Sequence, residues 1–147
     1  AYRMTGSVAE AEDLTQETFI RAHEQLDSFR AEARFSSWLY RIAVNHCLNW
    51  RKRDERRTRL HEEWGREQTA TITPDATLAS RVRDALLHLK PKQRAAVVLT
   101  VYDGLSHAEA ARALGCSAAN VAWRLFAARA KLKHLLKDAR TGSTAHE

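Results

Sequence analysis

The chain predicts an all-α protein, two small helical domains joined by a flexible linker. Ala, Leu, Arg and Glu dominate, while the 147 residues hold 5 Gly and 2 Pro, which favours helix over strand. Apolar residues recur at steps of three and four, bounded by serine caps, on both sides of a gap. In that gap, residues 59–79, the periodicity lapses; Thr69-Ala70-Thr71-Ile72-Thr73-Pro74-Asp75 reads as linker. Only residues 97–101 have a strand-like composition, and their flanks are helical.

A formal charge of +6 and a pI near 9.7 point to an anionic partner, and nucleic acid is the commonest such partner for a basic helical protein. Neither a membrane-spanning apolar run nor a secretory leader is present in the sequence, so a cytoplasmic protein is expected. Cys47 and Cys116 are too few for a disulfide framework and lack zinc-site spacing. His46 beside Cys47 invites a metal proposal, but neighbouring helical side chains diverge by about 100°. No metal and no cofactor are expected.

The first long helix follows Gly6. Ser7 and Glu10 have capping-box spacing, and Ala11, Leu14, Thr18, Ala22 and Leu26 form one apolar stripe. Its other side carries Glu10, Glu12, Asp13, Gln16, Glu17 and Glu24. An acidic face on a basic protein suggests a second partner that is not DNA; the alternative is a solvated face favoured by the helix dipole.

Between Asp27 and Ser37 lies a loop with Phe29, Arg30, Arg34 and Phe35. Rings and guanidinium planes can replace base stacking at about 1–3 kcal/mol per base, although spacing alone favours both rings plugging the loop into the helical core. Ser36 or Ser37 opens the next helix, with Leu39, Ile42, Ala43, His46 and Trp50 inward and Trp38, Arg41, Asn45, Asn49 and Arg51 off that stripe. It runs into the cationic stretch 51–59, which is suited to phosphates or is simply a solvated helix end. Past it, Trp64 is a lone large apolar residue for docking, and short helical turns can persist at the linker's start.

A second bundle follows. Leu78, Val82, Ala85 and Leu89 give one helix; Pro91, suited to a first turn, starts another with Ala95, Val98, Leu99 and Tyr102. Ser106 and Glu109 then have capping-box spacing, Ala108, Ala111 and Leu114 share a face, Gly115 ends the helix and Ser117 caps the next. In this last helix Val121, Leu125, Ala128, Leu132 and Leu135 turn inward, leaving Asn120, Trp123, Arg124, Ala127 and Lys131 elsewhere. This is a helix-turn-helix whose second helix, from Ser117, would meet base edges while Arg129 and Lys131 reach phosphates. The alternative is an ordinary packed hairpin with a solvated basic face. Residues 141–147 read as a loose polar tail.

Three stretches, Ala11-Glu12-Asp13-Leu14-Thr15-Gln16-Glu17-Thr18-Phe19, Trp38-Leu39-Tyr40-Arg41-Ile42-Ala43-Val44-Asn45 and the helix-turn-helix, occur in the order found in one family. With them the chain resembles the group 4, extracytoplasmic-function sigma factors of the sigma-70 family. The resemblance implies region two at residues 1–58, a linker at 59–79 and region four at 80–140. It implies a specificity subunit without catalysis of its own, binding core RNA polymerase and promoter DNA and regulated by an anti-sigma protein.

By the same resemblance, Asp13, Gln16 and Glu17 would bind the polymerase clamp. Phe29, Arg30, Arg34, Trp38, Arg41, Asn45, Arg51 and Lys52 would handle the minus-ten element, with Phe29 and Asn45 capturing a flipped base. Ser117, Asn120, Ala122, Trp123, Arg124, Phe126, Arg129 and Lys131 would contact the minus-thirty-five element. Relatives carry small or basic residues where this chain has Ala122 and Trp123, so an unusually apolar reading surface is expected. The chain opens at what corresponds to the end of the family's first region-two helix, so a truncated region two is expected. A conventional helix-turn-helix regulator, acting without replacing sigma, is the alternative. An enzyme is disfavoured, because no nucleophile, base and orienting residue fall in a recognisable arrangement.

Overall fold

In the computed structural model, residues 1–32, 34–63 and 77–141 are described. They form seven α-helices: α1 (Tyr2–Thr5), α2 (Val8–Glu24), α3 (Phe35–Glu63), α4 (Leu78–Leu87), α5 (Pro91–Val97), α6 (His107–Leu114) and α7 (Ala118–Thr141). No strand occurs among the described residues. Residues 97–101 are helical, and 98–102 form a π-turn in which the Asp103 amide donates to the Val98 carbonyl at 3.0 Å. Most of the expected linker, with Trp64 and residues 69–75, lies outside the described residues, as does the tail beyond Thr141. α3 runs on through Glu63, so helix persists into the start of the expected linker.

The caps follow the sequence. The Glu10 amide donates to Ser7 Oγ at 3.4 Å, so the Ser7 half of the expected box is formed. At α6 both halves are formed: Ser106 Oγ accepts from the Glu109 amide at 3.2 Å, and the Ser106 amide donates to Glu109 Oε2 at 2.9 Å. Gly115 takes φ 62°, and the Cys116 amide reaches back to the Ala111 carbonyl at 3.0 Å, a Schellman end. The Asn120 amide donates to Ser117 Oγ at 3.1 Å. α5 starts with Pro91 in its first turn.

The two halves are packed against each other around one contiguous apolar cluster, from Met4 and Leu14 through Val44 and Cys47 to Leu99, Val121 and Ala128. α3 is sandwiched between α2 and α6. It therefore has two buried sides. Ile42 and His46 belong to the expected stripe, while Val44 and Cys47, on a different side, are equally buried. On α6 the buried residues are Ala110, Ala111 and Ala113, and Ala108 is exposed. Small side chains let α6 pack between two neighbours, which turns its inward face away from the expected one.

Three further expectations fail at element ends. Leu26 is exposed because α2 stops at Glu24 and a 3-10 turn, Leu26–Ser28, swings it away. Leu78 sits at the first position of α4, before any neighbour covers it, and is 73% exposed. Tyr102 follows the π-turn to the surface, where the Arg3 guanidinium lies over its ring at 4.1 Å.

Arg94 was not singled out by its sequence context, yet it is completely buried. Its Nε donates to the Leu86 carbonyl at 2.7 Å, Nη1 to Met4 at 2.6 Å, and Nη2 to Leu89 at 3.2 Å and to Leu87. These carbonyls close α1 and α4. Two helix C-termini, each carrying partial negative charge, thus converge on one guanidinium and stand in for a carboxylate partner. Burial and the Arg51 charge pull the Arg94 pKa down to about 10, so it is cationic at neutral pH.

Candidate nucleic-acid interface

Between residues 37 and 50, where α3 is covered on two sides, what remains exposed is a narrow strip. Arg41, Asn45 and Lys52 are exposed along it, Trp38 is half-buried at its start, and Asn49 lies between. Their spacing of three and four keeps them on one side of the helix. Arg56, exposed and four residues beyond Lys52, continues the strip. It was hidden in the sequence among similar cations; Arg53, Arg57 and Arg59 are exposed too, and the phase of α3 aligns Arg56 with Asn45 and Lys52.

At the strip's N-terminal end three rings meet. Phe29 packs edge-on to Phe35 with centroids 5.4 Å apart, and Trp38 lies 5.4 Å from Phe29 and 5.5 Å from Phe35. The cluster is at the surface: Phe35 is 48% exposed. The rings pack on one another instead of plugging the main core, leaving a pre-formed aromatic platform beside Arg41 and Asn45. Arg30 is exposed next to it.

Two expected residues are placed differently. Arg51 lies on the other side of α3, half-buried, with Nε 3.4 Å from Glu55 Oε1. The structure separates it from Asn45 and Lys52. Arg34 reaches across to the other half, its Nη1 3.2 Å from Glu109 Oε1. Glu109 thus serves the α6 cap and this bridge together. The Ser106 bonds, more than Arg34, hold its carboxyl below the ordinary carboxylate range.

The second surface is α7. Val121, Leu125 and Ala128 are buried against α5 and α6, which fixes the rotation of the helix. Ser117, Asn120, Ala122, Trp123, Phe126, Arg129 and Lys131 are consequently exposed, and Arg124 is half-buried. The Arg124 guanidinium donates to Cys116 Sγ at 3.5 Å. The structure brings all eight expected residues onto one helix and its cap.

A third surface is the acidic side of α2. Asp13, Gln16 and Glu17 are exposed there. Asp13 and Glu17, with Trp50, Arg53 and Arg57 of α3, line a cleft of about 260 Å³. Beneath it the buried His46 places Nδ1 3.3 Å from Glu17 Oε2. Sequence reading missed this pair, since nothing in either helix alone reveals their juxtaposition. Cys47, next to His46, is a free thiol whose pKa burial pushes up; it sits in the apolar cluster and makes a poor ligand or nucleophile.

Among the described residues no helix is long and apolar enough to cross a membrane. The described surfaces are two cationic, aromatic ones and one acidic one. Residues 1–58 match the model of sigma-70 region 2, and residues 79–132 that of sigma-70 region 4. The chain is 38% identical over 144 residues to the ECF RNA polymerase sigma factor SigM of Mycobacterium tuberculosis, covering 95% of this chain and 71% of that protein. It is 33% identical to the ECF RNA polymerase sigma factor SigW of Bacillus subtilis, covering 93% and 81%. Among solved structures, the sigma factor RpoE of Bartonella quintana, in complex with the anti-sigma factor NepR, matches with a TM-score of 0.74 and 27% identity over 92% of this chain and 86% of that one. CnrH, in complex with the cytosolic domain of CnrY, matches with a TM-score of 0.68 and 33% identity over 92% and 77%. These matches support the sigma reading over the conventional regulator. The chain belongs to the extracytoplasmic-function sigma factors of the sigma-70 family.

Proposed function

We propose that this sigma factor divides its work among the three surfaces, with residues 1–58 acting as region two and 80–140 as region four. The α3 strip and its ring cluster receive the minus-ten element. A base leaving the duplex loses its stacking, and Phe29, Phe35 and Trp38 offer rings to replace it while the Asn45 amide offers both donor and acceptor. Arg30, Arg41, Lys52 and Arg56 face the phosphates, and Arg34 joins them once released from Glu109. Arg51, turned to the other side, acts through the protein and not on DNA.

α7 reads the minus-thirty-five element with Ser117, Asn120, Ala122, Trp123, Arg124 and Phe126, while Arg129 and Lys131 hold flanking phosphates. Asp13, Gln16 and Glu17 dock on core RNA polymerase through charge complementarity. The chain contributes binding and strand selection and no catalytic group, and it works in the cytoplasm with polymerase and promoter. An anti-sigma protein covering these surfaces, as NepR and CnrY are found with RpoE and CnrH, would regulate it.

The single observation that carries this reading is the α3 strip itself: packing on two sides leaves Arg41, Asn45 and Lys52 as the exposed line beside the clustered rings of Phe29, Phe35 and Trp38. The test is run-off transcription by core RNA polymerase with and without the protein on a genomic promoter library at stated salt. Protein-dependent starts sharing two upstream elements support the reading. No added starts from folded, inhibitor-free protein would refute it.

A further inference from the structure

The outward side of α7 departs from what a DNA-reading helix made of amides and cations would show. Opposite the buried Val121, Leu125 and Ala128, the exposed residues of the first turns include Ala119, Ala122, Trp123 and Phe126, with Trp123 65% and Phe126 73% exposed. Three residues apart, the two rings project from the same side of the helix. No described contact holds either ring. Of the polar groups nearby, Arg124 is half-buried and held by Cys116 Sγ at 3.5 Å, which leaves Asn120 as the exposed amide side chain.

Cations flank this apolar centre. Arg112 on α6 and Arg129, Lys131 and Lys133 on α7 are exposed. A surface with an apolar middle and a cationic rim matches a major groove, whose phosphate walls are anionic and whose floor offers one protruding apolar group, the C5-methyl of thymine. The same rim gives an apolar protein segment no charge match.

We propose that Trp123 and Phe126 make α7 a reader of thymine methyl groups, so that its upstream element is selected chiefly by apolar contact, with Asn120 adding the hydrogen-bonded component. This deepens the proposed function and rests on its assignment of α7 to upstream duplex DNA. The methyl, and not the Watson–Crick edge shared by thymine and uracil, is the feature recognised.

The test uses the full chain bound to core RNA polymerase. The preferred upstream duplex is selected from a randomised library, and each thymine in it, on either strand, is replaced singly by deoxyuridine, which deletes only the methyl. Binding should weaken about three- to fivefold at one or two positions, the loss expected for a buried methyl. Trp123→Ala and Phe126→Ala should weaken binding to the thymine duplex and bring the thymine-to-uracil ratio at the matching position close to one. Both rings are exposed, so the thermal midpoint should not move. Equal affinity for every uracil duplex, a selected element free of thymine, or retained discrimination in both variants would overturn the proposal. Variants that leave promoter affinity intact while losing an inhibitory protein partner would overturn it too and assign the face to that partner. Failure to select any upstream element would instead overturn the assignment of α7 to DNA beneath it.

Discussion

Arg94 and Met4 stand 90 residues apart in sequence, and the guanidinium of one donates to the main-chain carbonyl of the other at 2.6 Å. The bond links α1, in the region-two half, to the interior of the region-four half. Around it, the Arg83 Nη1 donates to the Tyr2 hydroxyl at 3.4 Å and Arg3 stacks over Tyr102. α1 is a brace between the halves.

Replacing Arg94 tests that brace. Arg94→Met deletes the donors of four carbonyls at two helix ends, and should cost about 2–5 kcal/mol. Arg94→Lys should rescue little, since one ammonium cannot span the fork. Urea denaturation with the slope m compared across variants measures both, and near wild-type stability for Met would refute the account.

The glycines provide a graded pair. Gly6 has φ 75°, and a Cβ there would come 2.6 Å from Leu87 Cδ1; Gly115 has φ 62° with open space around it. Gly115→Ala should cost about 1 kcal/mol from backbone strain alone. Gly6→Ala should cost more, because Leu87 must also move. Thermal unfolding of the two variants side by side checks the order.

Glu109 makes the α6 cap acid-sensitive. Its folded pKa is depressed, chiefly by the Ser106 bonds, so its stabilising contribution is present above the ordinary carboxylate pKa and is lost as pH falls through the folded value. The stability gap between wild type and Glu109→Gln should therefore be full at neutral pH and shrink below about pH 4. A gap that does not change with pH would show that the carboxylate's charge is irrelevant.

Asn45→Ala should reduce transcription from duplex promoters about tenfold or more while leaving pre-melted templates and core binding nearly unchanged, the loss of one charge-neutral contact and its geometry in a flipped-base pocket being about 1–3 kcal/mol. Run-off yields on paired templates measure the split. Equal loss on both templates would remove Asn45 from base capture.

Asp13→Lys with Glu17→Gln should weaken core polymerase binding without unfolding the chain, since both carboxylates are exposed and a glutamine at 17 keeps a polar partner for the buried His46. Fluorescence anisotropy against core polymerase provides the reading, and unaltered affinity would remove the acidic side of α2 from the interface.

Much of this was legible in the residues. Ser106 and Glu109, Gly115 and Ser117 fix the helix-turn-helix locally, because caps and left-handed ends depend on neighbours within a few positions. Val121, Leu125 and Ala128 were legible because α7 is buried on one side. α3 was half legible: period counting finds one stripe, and a helix covered on two sides has two, so Val44 and Cys47 escaped and Arg51 was assigned to the exposed strip. Arg94, Arg34 with Glu109, and His46 with Glu17 were not legible, since each depends on which segments meet in space.

The sandwiching of α3 between α2 and α6 has a consequence of scale. Elements named minus-ten and minus-thirty-five are separated by about 25 base pairs, or about 85 Å of duplex at 3.4 Å per step. A compact chain of this length has a radius of gyration of about 15 Å and is roughly 40 Å across. Held together by Arg94 and Met4, the two halves can visit one element or the other, but not both at once. A promoter longer than the folded protein is thus a ruler that only the parted chain can match.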